Sequence, residues 1–129
     1  MKPYALIIDD EVPIRRLLRV CLEANGYCVE EAATGQEGID SAAQLLPDVV
    51  LLDLCLPDMN GLIVLKRLRD WSHMPIVILS GRDDESLKVA ALDIGADDFV
   101  TKPFGVAELL ARLRAALRHA PAATETQPT

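Results

Sequence analysis

The sequence predicts a doubly wound α/β fold, in which five parallel strands form one sheet and helices cover both of its faces. Short apolar runs without polar alternation are typical of strands buried in a parallel sheet. Segments with apolar residues at helical spacing separate these runs. Strands that alternate with helices form βαβ units with right-handed crossovers. The length of 129 residues fits a single domain with one core, and an aromatic content of 4% makes that core aliphatic.

Five runs have the composition of strands. The third and fourth, "DVVLLD" and "PIVILS", are almost wholly apolar, which indicates a sheet covered on both faces. The second, "YCVEEA", contains two acidic residues, which suggests an edge position. The predicted strands are 4–8, 27–32, 48–53, 75–80 and 97–100.

The first and last helices are predicted from apolar residues three and four positions apart. Pro13 suits the first turn of a helix, where its missing N–H is not needed, and Asn25–Gly26 is a stop signal. The apolar positions are Ile14, Leu17, Leu18, Cys21 and Leu22 in the first helix, and Val106, Leu109, Leu110, Leu113 and Leu117 in the last.

Capping and stop residues bound three further helices. Thr34 can cap the second helix, Asn60 and Gly61 open the third, and Gly95 ends the fourth. The predicted helices are 36–45, 60–71 and 84–94.

Charge and cysteine content exclude several classes of protein. A net charge of −7 opposes tight binding of a polyanion by this segment. Cys21, Cys28 and Cys55 are odd in number and form no CxxC pair, so neither a disulfide framework nor a zinc site is predicted. The N-terminus reaches carboxylates after five apolar residues, too few for a signal peptide, and no apolar run approaches a membrane span. We therefore expect a soluble, cytoplasmic protein with no membrane partner.

Polar residues follow the predicted strands at the edge of the sheet where ligands bind in this class of fold. Each residue alone could be a turn residue, a helix cap or a solvated charge, but together they indicate one cleft. They are Asp9, Asp10 and Glu11 after the first strand, Asp53 at the end of the third, Ser80 at the end of the fourth and Lys102 after the fifth.

This combination of groups indicates phosphoryl chemistry. Three carboxylates cannot all ionise in one cleft without a cation, and oxygen ligands suit Mg²⁺ better than zinc. A hydroxyl and an ammonium beside the metal are the groups that a transferred phosphoryl group needs. Asp53 then becomes a nucleophile that forms an aspartyl phosphate.

Four motifs carry a resemblance to a known family, and it extends over residues 4–118. They are "IIDDE" (7–11), "LLDLCLPDMNG" (51–61), "ILSGRDD" (78–84) and "GADDFVTKPF" (95–104). Through them the chain resembles the receiver domains of bacterial two-component response regulators. The segment 88–117 is similar to OmpR-like winged-helix regulators, in particular those of potassium transport. The resemblance implies a flavodoxin/CheY-like sheet with strand order 2-1-3-4-5.

The resemblance implies a role for each acidic residue of the cleft. Asp53 accepts the phosphoryl group from a sensor histidine kinase. Asp10, Asp53 and the backbone carbonyl of Cys55 ligate Mg²⁺, while Asp9 acts mainly through water.

The same resemblance assigns the remaining polar and aromatic positions. Ser80 hydrogen-bonds one phosphoryl oxygen, Lys102 pairs with another, and the Lys102–Pro103 peptide bond is cis. Phe99 occupies the family's switch position, whose ring turns inward as Ser80 moves toward the phosphoryl group. A half-buried strand aromatic explains Phe99 equally well at this point.

The fourth helix carries extra apolar residues, Val89 and Leu92, which suggest an interface, although a deeply buried helix is an equal alternative. The resemblance favours a phosphorylation-promoted symmetric dimer through helix four, strand five and helix five. The matching charges are Lys88 with Glu108, Asp98 with Arg112, and Asp97 with Arg114.

We therefore expect a phosphorylation-activated switch, with residues 1–119 as the receiver domain and 120–129 as a linker to a DNA-binding domain absent from this chain. The switch is not an enzyme beyond catalysing its own phosphorylation and dephosphorylation. One alternative is a free-standing receiver that acts by docking to proteins.

Two alternatives lie outside the family. A phosphohydrolase of the haloacid dehalogenase kind needs a second acid two residues after the nucleophile, where this chain has Cys55. A flavin-binding domain needs a phosphate-cradling loop after the first strand, where this chain has "DDE".

Overall fold

Five strands and five helices alternate along residues 1–119, which are the residues that the computed structural model describes. The predicted linker 120–129 lies outside the described residues. The strands are β1 Tyr4–Ile8, β2 Cys28–Ala32, β3 Val49–Asp53, β4 Ile76–Ser80 and β5 Asp98–Thr101. The helices are α1 Val12–Ala24, α2 Gly35–Leu45, α3 Gly61–Arg69, α4 Glu85–Ile94 and α5 Val106–Arg118.

All strand pairs in the sheet are parallel, and the strand order is β2-β1-β3-β4-β5. This confirms the predicted fold class, the strand order and the edge position of β2. Asp53 pairs with Leu79, and Ser80 pairs with Thr101. The register therefore brings the polar residues at the ends of β3, β4 and β5 to one edge of the sheet.

The sheet has an apolar cluster on each face, as a doubly wound fold requires. One face packs against α1 and α5 through residues such as Leu22 and Leu113, which are fully buried. The other packs against α2, α3 and α4 through residues such as Val64 and Ala91, which are also fully buried. Every residue of β3 is buried, so Asp53 ends a strand that is held on both faces.

Some helix termini differ from the predicted ones by one or two residues. The predicted helix through Trp71 ends at Arg69, because the Trp71 N–H donates to Leu68 O and the chain tightens into a turn. The fourth helix starts at Glu85 because Asp84 is its N-cap and accepts hydrogen bonds from two backbone N–H groups. At the second helix, Thr34 caps as predicted, with its hydroxyl accepting from the Glu37 N–H at 3.1 Å.

The predicted apolar faces of α1 and α5 are only partly in the core. Leu18, Leu109 and Leu113 are buried, whereas Leu17 is 44% exposed and Val106 is 36% exposed. Periodicity marks an apolar side of a helix, but only part of that side is buried in the core. Within residues 1–119, none of the helices combines the length and the hydropathy that a membrane span requires.

Candidate functional site

The carboxyl ends of β1, β3, β4 and β5 meet at one cavity, as predicted, and most of the residues that line it have charged side chains. Its volume is about 380 Å³. Asp9 and Asp53 are buried, whereas Asp10 is exposed at the cavity. The residues that line the cavity are Asp10, Glu11, Asp53, Cys55, Gly81, Arg82 and Lys102.

Lys102 crosses the sheet edge to meet three carboxylates. Its Nζ lies 3.1 Å from Asp9 Oδ2, 3.2 Å from Glu11 Oε1 and 3.6 Å from Asp53 Oδ2. The Lys102 N–H also donates to the Ser80 carbonyl at 2.7 Å, and the Lys102–Pro103 peptide bond is cis as expected. The ammonium is therefore the positive charge next to the buried Asp53 carboxylate.

Three carboxylates converge at a distance that suits one small cation. One oxygen each of Asp9, Asp10 and Asp53 lies within 4.8 Å of the others. Oxygen donors alone are the set that hard divalent cations prefer, and they match neither zinc nor copper. The residues present can therefore hold such a metal.

The surroundings of Asp53 disfavour its negative charge. Burial, followed by the negative charge of Asp9, raises the pKa of Asp53 to about 6, and the Lys102 ammonium and the Cys55 N–H only partly offset this. Burial acts to lower the pKa of Lys102, but the negative charges of Asp53 and Asp9 outweigh it, so the net shift is upward. The site therefore holds more negative charge than its own ammonium neutralises.

Backbone contacts fix the two buried carboxylates. The Cys55 N–H donates to Asp53 Oδ1 at 3.3 Å, and the Glu11 N–H donates to Asp9 Oδ1 at 2.9 Å. The turn after β3 is tight, because the Gly61 N–H donates to Leu54 O at 2.9 Å. A Cβ at Gly61 would lie 2.5 Å from the Leu54 Cα, so only glycine fits there.

The two expected switch residues lie on neighbouring strands. Ser80 is buried, and its hydroxyl accepts from the Arg82 N–H at 3.1 Å. Phe99 is 8% exposed, and the Lys88 Nζ lies 5.6 Å from the centre of its ring. Phe99 is therefore a buried aromatic rather than a half-buried one in this conformation, and its switching role stays a prediction.

The surface formed by α4, β5 and α5, which we call the α4–β5–α5 face, carries the predicted apolar residues. Val89 is 49% exposed and Leu92 is 44% exposed. The alternative, in which Val89 and Leu92 belong to a deeply buried fourth helix, is therefore wrong for these two side chains. It leaves an apolar surface without a partner in the single chain.

The charges of this face are paired within one chain. Arg112 Nη1 lies 3.0 Å from Asp98 Oδ2, and Arg112 Nη2 lies 3.0 Å from Glu108 Oε2. Asp97 Oδ2 pairs with Arg69 Nη2 at 2.9 Å rather than with Arg114. Lys88 has Asp83 as its acidic neighbour, 3.9 Å away, rather than Glu108. The role of these residues in a dimer stays a prediction.

The sequence prediction missed the contacts of two residues. It named Glu11 as part of an acidic cluster but not as a partner of Lys102, although its position after β1 was a usable signal. It missed Arg69, whose guanidinium donates to Met74 O at 2.7 Å, Gly95 O at 2.8 Å and Asp97 Oδ2 at 2.9 Å. No local pattern marks a contact of that kind.

Residues 5–114 match the family model described as "Response regulator receiver domain". The chain belongs to this family. It is 52% identical over 123 residues to the KDP operon transcriptional regulatory protein KdpE of Escherichia coli K12, covering 95% of this chain and 55% of that protein. It is 56% identical over 122 residues to the transcriptional regulatory protein KdpE of Mycobacterium tuberculosis, covering 95% of this chain and 54% of that protein.

A solved structure shows the same receiver fold. The CheY-like response regulator receiver domain protein of Methanospirillum hungatei superimposes with a TM-score of 0.87 at 30% identity, covering 92% of this chain and 95% of that one. The expected likeness to OmpR-like regulators, KdpE among them, is confirmed. The chain spans about half the length of the curated relatives that it matches.

Proposed function

We propose that this receiver domain is a phosphorylation-activated switch in which Asp53 accepts a phosphoryl group from a sensor histidine kinase. The observation that carries the proposal is a buried carboxylate, 5% exposed, that ends β3 with the Lys102 ammonium 3.6 Å away. A rigid strand presents the nucleophile, and the ammonium stands where negative charge accumulates during transfer.

The transfer forms one bond and breaks another. An Asp53 oxygen attacks phosphorus, the bond from phosphorus to the kinase imidazole nitrogen breaks, and the imidazole leaves with a proton taken up from water. Asp53 acts in its ionised form, and a pKa of about 6 leaves it mainly ionised at neutral pH. Lys102 pairs with one phosphoryl oxygen, and the Ser80 hydroxyl turns from the Arg82 N–H to donate to another.

Mg²⁺ is the metal that we assign to the site, where it would neutralise charge on the phosphoryl oxygens. Asp10, Asp53 and the Cys55 backbone carbonyl are its proposed ligands. Both oxygens of Asp9 already accept hydrogen bonds, one from the Glu11 N–H and one from Lys102 Nζ. This supports a role for Asp9 through water rather than as a direct ligand.

The output of the switch lies in the longer protein to which a receiver of this kind belongs. Relatives that carry about twice the length of this chain are named as transcriptional regulators, so we infer control of an attached DNA-binding domain. The charge of −7 supports the view that residues of this chain do not contact DNA themselves. We also propose that the chain turns over no external substrate and works in the cytoplasm.

Incubation with acetyl phosphate, with and without Mg²⁺, followed by intact mass measurement, tests the phosphorylation site. We expect one added phosphoryl group that depends on Mg²⁺ and is abolished by Asp53→Asn. Asp58→Asn is the matched control, since Asp58 lies outside the cavity and binds the N–H groups of Gly35 and Gln36. Phosphorylation that persists in Asp53→Asn would contradict the proposal.

We further propose that phosphorylation promotes a symmetric dimer through the α4–β5–α5 face. The supporting observation is a pair of exposed apolar side chains on α4, Val89 and Leu92. They lie on the same face as the Asp98–Arg112 ion pair. Exposed ion pairs add little affinity but set the register of two partners.

Sedimentation with beryllofluoride as a phosphoryl mimic tests the dimer. We expect the wild type to dimerise and Leu92→Asp and Arg112→Ala to weaken the dimer. Val20→Asp is the control, because Val20 is 65% exposed on α1, away from this face. A wild type that stays monomeric with beryllofluoride, or an equal effect of Val20→Asp, overturns this assignment.

A further inference from the structure

Lys102 makes its shortest ion pairs with the loop after β1 rather than with Asp53. Its Nζ is 3.1 Å from Asp9 and 3.2 Å from Glu11, against 3.6 Å from Asp53. An ammonium has three N–H donors, and here two of them form hydrogen bonds with the loop carboxylates. The two contacts therefore hold the ammonium 3.6 Å from Asp53, beyond hydrogen-bond distance.

The Glu11 carboxylate is available to Lys102 because it has no capping role. Glu11 is the N-cap residue of α1, where its carbonyl accepts from the Arg15 N–H at 3.1 Å. Its side chain makes no cap hydrogen bond and instead reaches a residue 91 positions away in the sequence. The Glu11 backbone is thus fixed by α1, while its carboxylate accepts a hydrogen bond from the Lys102 ammonium.

The ion pairs of Lys102 with Asp9 and with Glu11 differ in how unfavourable it is to break them. Asp9 is 1% exposed, so breaking its pair with Lys102 leaves a buried charge without its cation, which is unfavourable. The Glu11 side chain is 57% exposed, so water replaces the ammonium when that pair breaks. Glu11 is therefore the partner that Lys102 gives up more easily.

The Glu11–Lys102 pair lies where two cavities meet. Both residues line the phosphoacceptor cavity of about 380 Å³. Both also line a second cavity of about 370 Å³, together with Ile14, Leu17, Pro103 and Phe104. The Glu11 carboxylate can turn away from Lys102 into open space without displacing a buried side chain.

We propose that Glu11 is a positioning residue that holds Lys102 in a resting position and thereby slows phosphoryl capture by Asp53. The inference rests on the proposed function of Asp53. In the reaction with acetyl phosphate, the bond from an Asp53 oxygen to phosphorus forms, the bond from phosphorus to the acetyl oxygen breaks, and acetate leaves. Because exposed ion pairs are weak, loss of the contact is expected to raise the maximal rate about 2- to 5-fold.

Two variants of the full chain separate the contact from the charge. Glu11→Gln removes the charge. Glu11→Asp keeps the charge, but its side chain is one methylene shorter and cannot make the 3.2 Å contact with Lys102. Phosphorylation by acetyl phosphate with Mg²⁺ is followed by intact mass at a series of donor concentrations. The maximal rate and the donor concentration for half-maximal rate are obtained separately, and urea unfolding checks that both variants fold.

We expect both variants to show the higher maximal rate, because both lose the contact. If only Glu11→Gln changes, and mainly through a lower donor concentration for half-maximal rate, the effect is electrostatic and the positioning role is overturned. Unchanged or slower maximal rates in both variants also overturn it. A wild type that takes up no phosphoryl group instead contradicts the proposed function itself.

Discussion

Replacing Asp53 with asparagine removes a buried negative charge and keeps the shape of the side chain. The amide oxygen can still accept from the Cys55 N–H, and Lys102 keeps its two shorter contacts, to Asp9 and Glu11. The variant therefore differs from the wild type mainly in charge. We expect Asp53→Asn to be more stable than the wild type at neutral pH when no divalent cation is present.

The magnitude follows from the pKa of Asp53, which is raised from 3.8 to about 6 by burial and by Asp9. One pKa unit corresponds to about 1.4 kcal/mol, so ionisation of Asp53 lowers the free energy of unfolding by about 3 kcal/mol. The folded protein binds more protons than the unfolded chain between these two values. The free energy of unfolding of the wild type therefore falls as the pH rises from about 4 to above 6. In Asp53→Asn this decrease is absent, because the variant has no ionisable group at position 53.

Urea unfolding followed by circular dichroism, in EDTA, measures the difference. For a slope of roughly 1.5–2 kcal/mol per molar urea, the midpoint of Asp53→Asn rises by about 1.5–2 M at neutral pH and by little at about pH 4. Excess Mg²⁺ is expected to narrow the gap, because the cation stabilises the wild type through the carboxylate that the variant lacks.

Asp58→Asn is the matched control with the opposite sign. Hydrogen bonds from the Gln36 and Gly35 N–H groups lower the pKa of Asp58, so its charge stabilises the fold above the unfolded-state pKa and this is lost as the pH falls. Asp58→Asn should therefore be less stable than the wild type at neutral pH. If Asp53→Asn is no more stable than the wild type in EDTA, or gains equally at about pH 4, the charge of Asp53 is not the cause.

Three further substitutions test side-chain contacts and backbone conformation. Arg69→Ala leaves Met74 O and Gly95 O without the guanidinium donor, while Asp97 Oδ2 keeps the Ile76 N–H. The free energy of unfolding in urea is expected to fall by about 3 kcal/mol, whereas exposed Arg67→Ala changes it little. Leu46→Asn is expected to raise the free energy of unfolding by about 0.5–1 kcal/mol, because Leu46 ends α2 at a φ of 49° and is 66% exposed; no gain in thermal melting would contradict this. Gly61→Ala places a Cβ against the Leu54 backbone and should both destabilise the chain and slow phosphorylation of Asp53, while Gly81→Ala meets nothing within 4 Å and should be tolerated.

The fold followed from the sequence because its strands and most helix ends are marked locally. Apolar runs without alternation are typical of a sheet covered on both faces, and Thr34 and Gly95 bound their helices by capping chemistry. The end of α3 was misplaced because no glycine or proline directly follows Arg69 to mark it. The turn there forms through the hydrogen bond from the Trp71 N–H to Leu68 O.

The residues of the candidate site were predictable because parallel strands bring their carboxyl ends together. The distances between these residues were not predictable, because they depend on the length and conformation of each side chain. Lys102 could have met Asp53 first, but it lies nearer to Asp9 and Glu11. The ion pairs of the α4–β5–α5 face were unpredictable for a similar reason. Opposite charges in a sequence do not show whether they pair within one chain, as Asp98 and Arg112 do, or between two chains.

The element least firmly held by the core is α4, which explains why a change at the site would be transmitted there. Every residue of β3 is buried, so Asp53 has no freedom to move with the strand. Among its described residues α3 buries four, whereas α4 buries only Ala91. Displacing α4 uncovers Ala91 and the partly buried Leu87 and Ile94, which is less apolar area than the buried Val64, Leu65 and Leu68 of α3. A movement of Ser80, which ends β4 just before the loop to α4, therefore costs least when α4 absorbs it, and α4 carries the exposed Val89 and Leu92.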